Sequence, residues 1–298
     1  MDIEVKKYRF GSRFLKNFWR ELEKDNLALL ATVLLLTLFL FILVGQFFVP
    51  KDIGTMSNIL NANLPPLEKG HILGTTDSGA DFVLTLIASA KNSLIIGFGV
   101  AILITLISVV FGMIIGFFGG WIDWIAMRLI DFWLVMPLVM ILAIIFSTAK
   151  GLSIWNLILI LSVISWPANV RLVRTLTLSE VNRDYVRAAR ISGTKWYKIL
   201  FIGILPNISS TVISDFALTL AGSIGIETGL TFLGFGLKQG TSSLGTMLTV
   251  LSGSSASSVY TQWWSWVPVT IVLIILTFGI VVLGQVARRA IDQRQSVS

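Results

Sequence analysis

Apolar runs alternate with short polar stretches along this chain. Six of the runs, at about 27–49, 92–118, 124–147, 154–174, 205–229 and 263–286, are long enough to cross a bilayer. A helix needs roughly 20 apolar residues for a hydrocarbon core of about 30 Å. The pattern predicts an all-α polytopic membrane protein with six transmembrane helices. Residues 1–26 form an N-terminal segment before the first span at 27–49. That first run is longer than a signal-peptide core, so it reads as a retained span. Phe10, Phe14, Phe18 and Leu22 recur every fourth residue, with Leu15 and Trp19 beside them. Arg13, Lys16, Arg20 and Lys24 occupy other faces, which predicts an amphipathic helix lying in the membrane interface. Residues 50–91, with Pro65 and Pro66, form an outer segment ahead of a five-helix core at 92–286, and 287–298 form a tail. Trp263, Trp264 and Trp266 stand where an aromatic belt would meet the outer interface.

The polar stretch at 175–204 carries its own pattern. A short helix is expected over about 182–192, with Arg183, Arg187 and Arg190 on one face. Tyr185, Ala188, Ala189 and Ser192 share another face, small-sided enough for a second protein surface to approach the backbone. Gly193 permits a positive-φ helix stop. A second short helix, about 194–201, carries Trp196, Tyr197 and Lys198, and Pro206 suits the first turn of the next span. A basic hairpin lying on lipid is the competing reading of the same charges.

Composition narrows the chemistry. Of 298 residues, 55% are hydrophobic and 13% charged, which excludes a soluble domain. There is no cysteine, so no disulfide, thiolate site or cysteine nucleophile exists, and the single His71 excludes a multi-histidine metal site. His71 reads as a loop hydrogen-bonder. Lys and Arg number seven in 1–26, seven in 171–198 and three in the tail, against five at the alternate ends. That asymmetry puts both termini and the 175–204 loop in the cytoplasm of a multi-pass cell-membrane protein. The net charge of +7 then reflects cytoplasmic loops and anionic lipid rather than nucleic acid. No G-x-x-x-x-G-K-[ST] motif occurs, so the chain cannot hydrolyse ATP by itself. No Ser/His/Asp or paired-carboxylate set suggests an enzyme, and no cofactor is indicated. Asp215 and Glu227 are candidates for a solute path or its gate, or for hydrogen bonds between helices. Arg128 and Asp131, three apart, form a candidate ion pair or snorkel to the interface. Gly112, Gly116, Gly119 and Gly120, with Gly222, Gly225 and Gly229, mark close helix packing.

The spacing Ala188-Ala189, Gly193, Leu205-Pro206 resembles the cytoplasmic signature of ABC-transporter permeases: E-A-A, three residues, G, nine residues, I-x-L-P. Arg187 stands where Glu is common and Gly203 where Ile is common. "HILGTTDSGADF" is similar to an element of dipeptide and oligopeptide permeases. It matches at His71, Leu73, Gly74, Thr75, Gly79 and Asp81, with Thr76 for the usual Asp and Ala80 for the usual Arg. "AKNSLIIG", "GFFGGWIDWIAMRLIDFWLVMP", "WPANVRLVR" and "ETGLTFLGFGL" follow in family order. The chain resembles the second, shorter permease of a peptide-importing ABC system, with the type I importer permease fold. The resemblance implies pairing with a homologous permease around a central path. It also implies two ABC ATPase subunits below and an extracellular or periplasmic binding protein above. The 175–204 loop, with Tyr185, Arg187, Ala188, Ala189, Gly193, Leu205 and Pro206, would be the coupling element that docks in an ATPase groove. Relatives carrying nickel chelates, glutathione or antimicrobial peptides are the alternatives within the family. An ATP-independent secondary transporter using Asp215 and Glu227 is the alternative outside it.

Overall fold

A computed structural model describes residues 12–50, 53, 58–148, 151–238, 240–249, 260 and 262–295. The first helix, α1 (Ser12–Lys24), is followed after one residue by α2 (Asn26–Gly45). Asp25 makes the corner: its carboxylate accepts from the backbone N–H groups of Leu27 (3.1 Å) and Ala28 (3.3 Å), a helix N-cap. Phe18 and Leu22 pack against Ala28, Ala31, Val282 and Val286, while Leu15 and Trp19 face outward. Phe10 of the expected stripe lies outside the described residues.

The longest helix, α3 (Phe82–Phe118), begins ten residues before the expected span. Asp81 explains the difference. One carboxylate oxygen caps the Leu84 N–H at 3.0 Å and the other meets His71 Nδ1 at 2.8 Å. The helix start is therefore set by the "HILGTTDSGADF" segment, not by where apolarity begins. Gly74 in that segment has φ +75°, and a Cβ there would stand 2.1 Å from the Leu64 carbonyl oxygen.

Two expected spans are bent pairs. α4 (Gly120–Val135) and α5 (Leu138–Thr148) meet at 74° around Pro137. α6 (Ile154–Ser165) and α7 (Pro167–Val181) meet at 50° around Pro167. Proline lacks the N–H that would continue each ladder. Beyond the bend, α7 runs on into the 175–204 stretch. The loop helices are α8 (Asp184–Ile191) and α9 (Trp196–Lys198). A π-helical turn, Ile199–Ile204, joins α9 to α10 (Leu205–Phe232), so Pro206 lies inside one continuous rod from Trp196 rather than at a free helix start. The Leu205 N–H donates to the Leu200 carbonyl, the i→i−5 pattern that takes up the register change near a proline. Short α11 (Leu244–Leu248) and α12 (Val267–Gln295) follow among the described residues. Four of these helical rods are long and apolar enough to span a membrane, and up to six spans result when each bent pair counts as one. The protein is a multi-pass membrane protein.

α3 is the central post. Gly112 and Gly116 bring α7 against it: a Cβ on Gly112 would lie 2.9 Å from the Val170 carbonyl oxygen, and one on Gly116 would lie 2.8 Å from that of Arg174. α10 and α12 approach equally closely, with Gly284 leaving a Cβ only 2.2 Å from Ala217. Helices in lipid gain no hydrophobic drive from each other, so such close backbone approach supplies the packing attraction.

Candidate functional site

The loop between α7 and α10 is anchored from below and open on its other side. α7 ends at Val181, and extended Arg183 (φ −77°, ψ 150°) precedes α8, whose first residue, Asp184, comes two residues later than the sequence pattern suggests. Val186 is wholly buried against Met113, Leu200 and Ile204, and Ala189 packs on the same cluster. Arg190 lies over the Phe117 ring, 4.5 Å from its centre, and Phe118 meets Trp196 at 5.6 Å. α8 is thus held by α3, α7 and the π turn together.

The end of α8 follows sequence expectation. Gly193 has φ +71°, its N–H donates to the Arg190 carbonyl, and the Thr194 N–H donates to that of Ala189, both at 3.0 Å. This is the double bond of a Schellman stop. A Cβ on Gly193 would meet nothing within 4 Å, so only backbone strain restricts the position.

Tyr185 is turned differently from expectation. Its hydroxyl donates to Glu180 Oε2 at 2.7 Å and accepts from Asn207 Nδ2 at 3.1 Å. Glu180, itself buried, also pairs with Arg183 Nε at 2.9 Å. One side chain of α8 therefore ties the end of α7 to the start of α10. The ring lies beside Gly203, where a Cβ would sit in ordinary contact with it at 3.6 Å. Burial first, and the bond to Glu180 second, push the phenol up to about 12. The neutral hydroxyl is the bonding form, so its stabilisation is complete below the ordinary tyrosine pKa of about 10 and fades as pH rises toward 12. Tyr185→Phe is expected to cost about 1 kcal/mol. Thermal unfolding in detergent should show a lowered midpoint that stays constant from pH 6 to 9. An unchanged midpoint would mean that the link carries nothing.

With Tyr185, Val186, Ala189 and Arg190 turned toward the bundle, the outward stripe of α8 is Asp184, Arg187, Ala188 and Ile191. These positions follow i, i+3, i+4, i+7. Ile191 is 88% exposed. Of the small-sided face expected from sequence, Ala188 and Ser192 are open, Ala189 is partly covered, and Tyr185 keeps its ring exposed while its hydroxyl reaches Glu180 and Asn207. The overlooked signal was Val186, an apolar anchor among polar neighbours that fixes the helix phase.

The two intramembrane carboxylates sit apart. Glu227 on α10 is fully buried and accepts from Ser93 at 3.0 Å, Thr231 at 3.1 Å and Thr228 at 3.4 Å. Ser93 in turn accepts the Leu244 N–H at 3.1 Å, so this knot joins α3, α10 and α11. Asp215, half-buried on α10, accepts from Asn169 Nδ2 at 2.8 Å, and the same amide donates to Thr219 at 2.7 Å. Asn169 and Thr219 line a cleft of about 260 Å³ together with Trp133, Ser165 and Gly222.

Arg128 and Asp131 do not pair. Arg128 lies 5.9 Å from the Trp124 ring centre, and Asp131 bonds Arg171 of α7. Asp123 holds Arg174, with Nε–Oδ1 at 2.7 Å. The bend at Pro167 carries α7 alongside α4, making both partners inter-helical, which a spacing rule within one helix cannot foresee.

Comparison with known proteins gives a consistent picture. Residues 108–297 match the family model described as "Binding-protein-dependent transport system inner membrane component". Residues 13–66 match that of the N-terminal TM domain of oligopeptide transport permease C. The chain is similar to the oligopeptide transport system permease protein OppC of Lactococcus lactis subsp. lactis (strain IL1403), 40% identical over 291 residues and 98% of each chain. It is 36% identical over 217 residues to OppC of Mycobacterium tuberculosis (strain ATCC 25618 / H37Rv), covering 72% of this chain and 74% of the relative. It is 30% identical over 286 residues to the dipeptide transport system permease protein DppC of Haemophilus influenzae, covering 94% and 95%.

Proposed function

Because the chain belongs to the family of binding-protein-dependent transport system inner membrane components, we propose that it is a permease subunit of an ATP-driven peptide importer. It pairs with a homologous permease to enclose the path. Two ATPase subunits dock on the cytoplasmic side, and a binding protein delivers peptide from outside. The relatives named for oligopeptide and dipeptide transport support peptides as the cargo. The concentration of Lys and Arg in 1–26, 171–198 and the tail supports cytoplasmic termini and a cytoplasmic loop.

The observation that carries this reading is the outward stripe of α8, backed by buried Val186. A docking helix must be open toward its partner and stiffly joined to what it moves. Arg187, Ala188 and Ile191 meet the ATPase. Val186 and Tyr185 pass the displacement to α7 and α10. Gly193 ends the lever, and Leu205 and Pro206 connect it to the rod of α10. ATP hydrolysis belongs to the partner subunits, and this chain transmits rigid-body motion.

The test is reconstitution. The assembly that co-purifies with this chain in mild detergent is expected to contain one homologous permease and two P-loop ATPases. In proteoliposomes with its binding protein, it should take up labelled oligopeptide or dipeptide only when ATP is supplied. Uptake by this chain alone, without ATP, would overturn the proposal in favour of a secondary transporter.

A further inference from the structure

A layer of polar side chains crosses α4, α7 and α10 at mid-depth. Its level can be read from the helices themselves. Glu180, Tyr185 and Asn207 meet where the basic loop joins the apolar runs. From that level Asn169 and Arg171 stand roughly 16 and 14 Å along α7, and Asp215 stands ~12 Å along α10, at 1.5 Å per residue. Asp131 is at the same height because it bonds Arg171. In a core of about 30 Å, all four lie near the middle.

This layer is not closed within the chain. The side chains of Asp131 and Arg171 are 50% and 41% exposed. Arg171 Nε and the Ser165 hydroxyl are buried with no partner among the described residues. Asn169 occupies one oxygen of Asp215, and the other has no partner among the described residues. Charged groups at this depth do not face lipid; they face protein or water. The adjoining cleft, with Asn169, Ser165 and Thr219 on its wall, offers the space. The neighbouring outward side of α10 carries Gly222 and Gly225, where an added Cβ would meet nothing within 4 Å.

We infer that Asp131, Arg171, Asn169, Asp215 and Thr219 form the wetted wall of the passage and are the groups a passing peptide meets. The chemistry suits a zwitterionic chain. Two carboxylates attract an ammonium, a guanidinium attracts a carboxylate, and Asn169 and Thr219 bond amides between them. The inference rests on the proposed importer role, and the layer is separate from Glu227, which is sealed in its cage of hydroxyls.

The chain has no cysteine, so each introduced thiol is its only one. In the assembled complex in proteoliposomes, Thr219→Cys and Gly222→Cys are expected to react with a charged, membrane-impermeant maleimide, read on this chain's own band. The rate should change when ATP is trapped with vanadate. Leu36→Cys and Ile274→Cys, each exposed in a stripe of exposed apolar side chains, should stay unlabelled. As a second readout, Asp215→Asn should lower uptake of a lysine-rich peptide relative to a glutamate-rich one by roughly tenfold. Cleft cysteines as inert as Leu36→Cys, or an unchanged peptide preference, would overturn the inference. Uptake by the cysteine-free parent is measured alongside. Uptake with inert cleft positions rejects this wall alone, whereas ATP-independent uptake rejects the importer reading.

Discussion

Leucine at Gly112 is expected to leave little folded protein, whereas leucine at Gly222 should leave the fold of the chain intact. At Gly112 even a Cβ would stand 2.8 Å from Val173 Cβ, 2.9 Å from the Val170 carbonyl oxygen and 3.0 Å from the Arg174 nitrogen. Two of these three atoms are backbone, so no rotamer change relieves the clash. α3 and α7 must separate, and the separation pulls Arg174 from Asp123 and Asn169 from Asp215. Overpacking alone costs typically 1–3 kcal/mol and sometimes more. Losing the partly buried Arg174–Asp123 ion pair and the Asn169–Asp215 hydrogen bond adds to it, against total stabilities of about 5–15 kcal/mol. At Gly222 nothing lies within 4 Å. Size-exclusion profiles of detergent-solubilised chain would show the contrast. Equal recovery of both variants would mean that the α3–α7 contact is looser than described.

Ile191→Asp and Arg187→Glu are expected to stop ATP-driven uptake while leaving the thermal unfolding midpoint unchanged. Both side chains point away from the bundle, and neither touches the Val186 cluster. A side chain exposed this far loses little when replaced, so the fold is insulated. The effect falls on the partner. An apolar anchor at the centre of a docking surface is worth about 2 kcal/mol or more, and a buried unpaired charge costs further. Uptake should drop about thirtyfold or more. Gly193→Val, strained at φ +71° but free of clashes, should reduce uptake less because the end of the lever is displaced and not removed. Wild-type uptake by both Ile191→Asp and Arg187→Glu would remove α8 from the docking role.

Much of this was readable from the chain. The apolar runs announce the spans, since a bilayer leaves no other solution for twenty apolar residues. Gly193 marks its position because the positive φ of the helix stop demands it. Three things were less legible. The start of α3 lies in a polar segment, because capping by Asp81 and not hydrophobicity decides it. The glycines looked alike, yet Gly112 and Gly116 press on α7, Gly119 and Gly120 sit at a positive-φ turn, and Gly222, Gly225 and Gly229 face open space. Spacing cannot separate these cases. The partners of Asp131, Asp123 and Asp215 come from α7, up to 51 residues away, and only the bend at Pro167 brings them there. Within the loop, the residue types were legible and the helix phase was not. Burial of Val186 fixes that phase and brings the Tyr185 hydroxyl to Glu180.

The packing of the first span has a consequence for how the protein is made. α2 is synthesised long before α12, yet the buried side of α2 rests chiefly on α12. Ala28 and Ala31 meet Val282 and Val286, and a Cβ on Gly279 would sit 3.0 Å from Leu35. A nascent chain therefore carries α1 and α2 through most of translation without their main neighbour. The bundle closes around α2 only after α12 has been made, so a chain stopped before Val267 is left with an unclaimed first span.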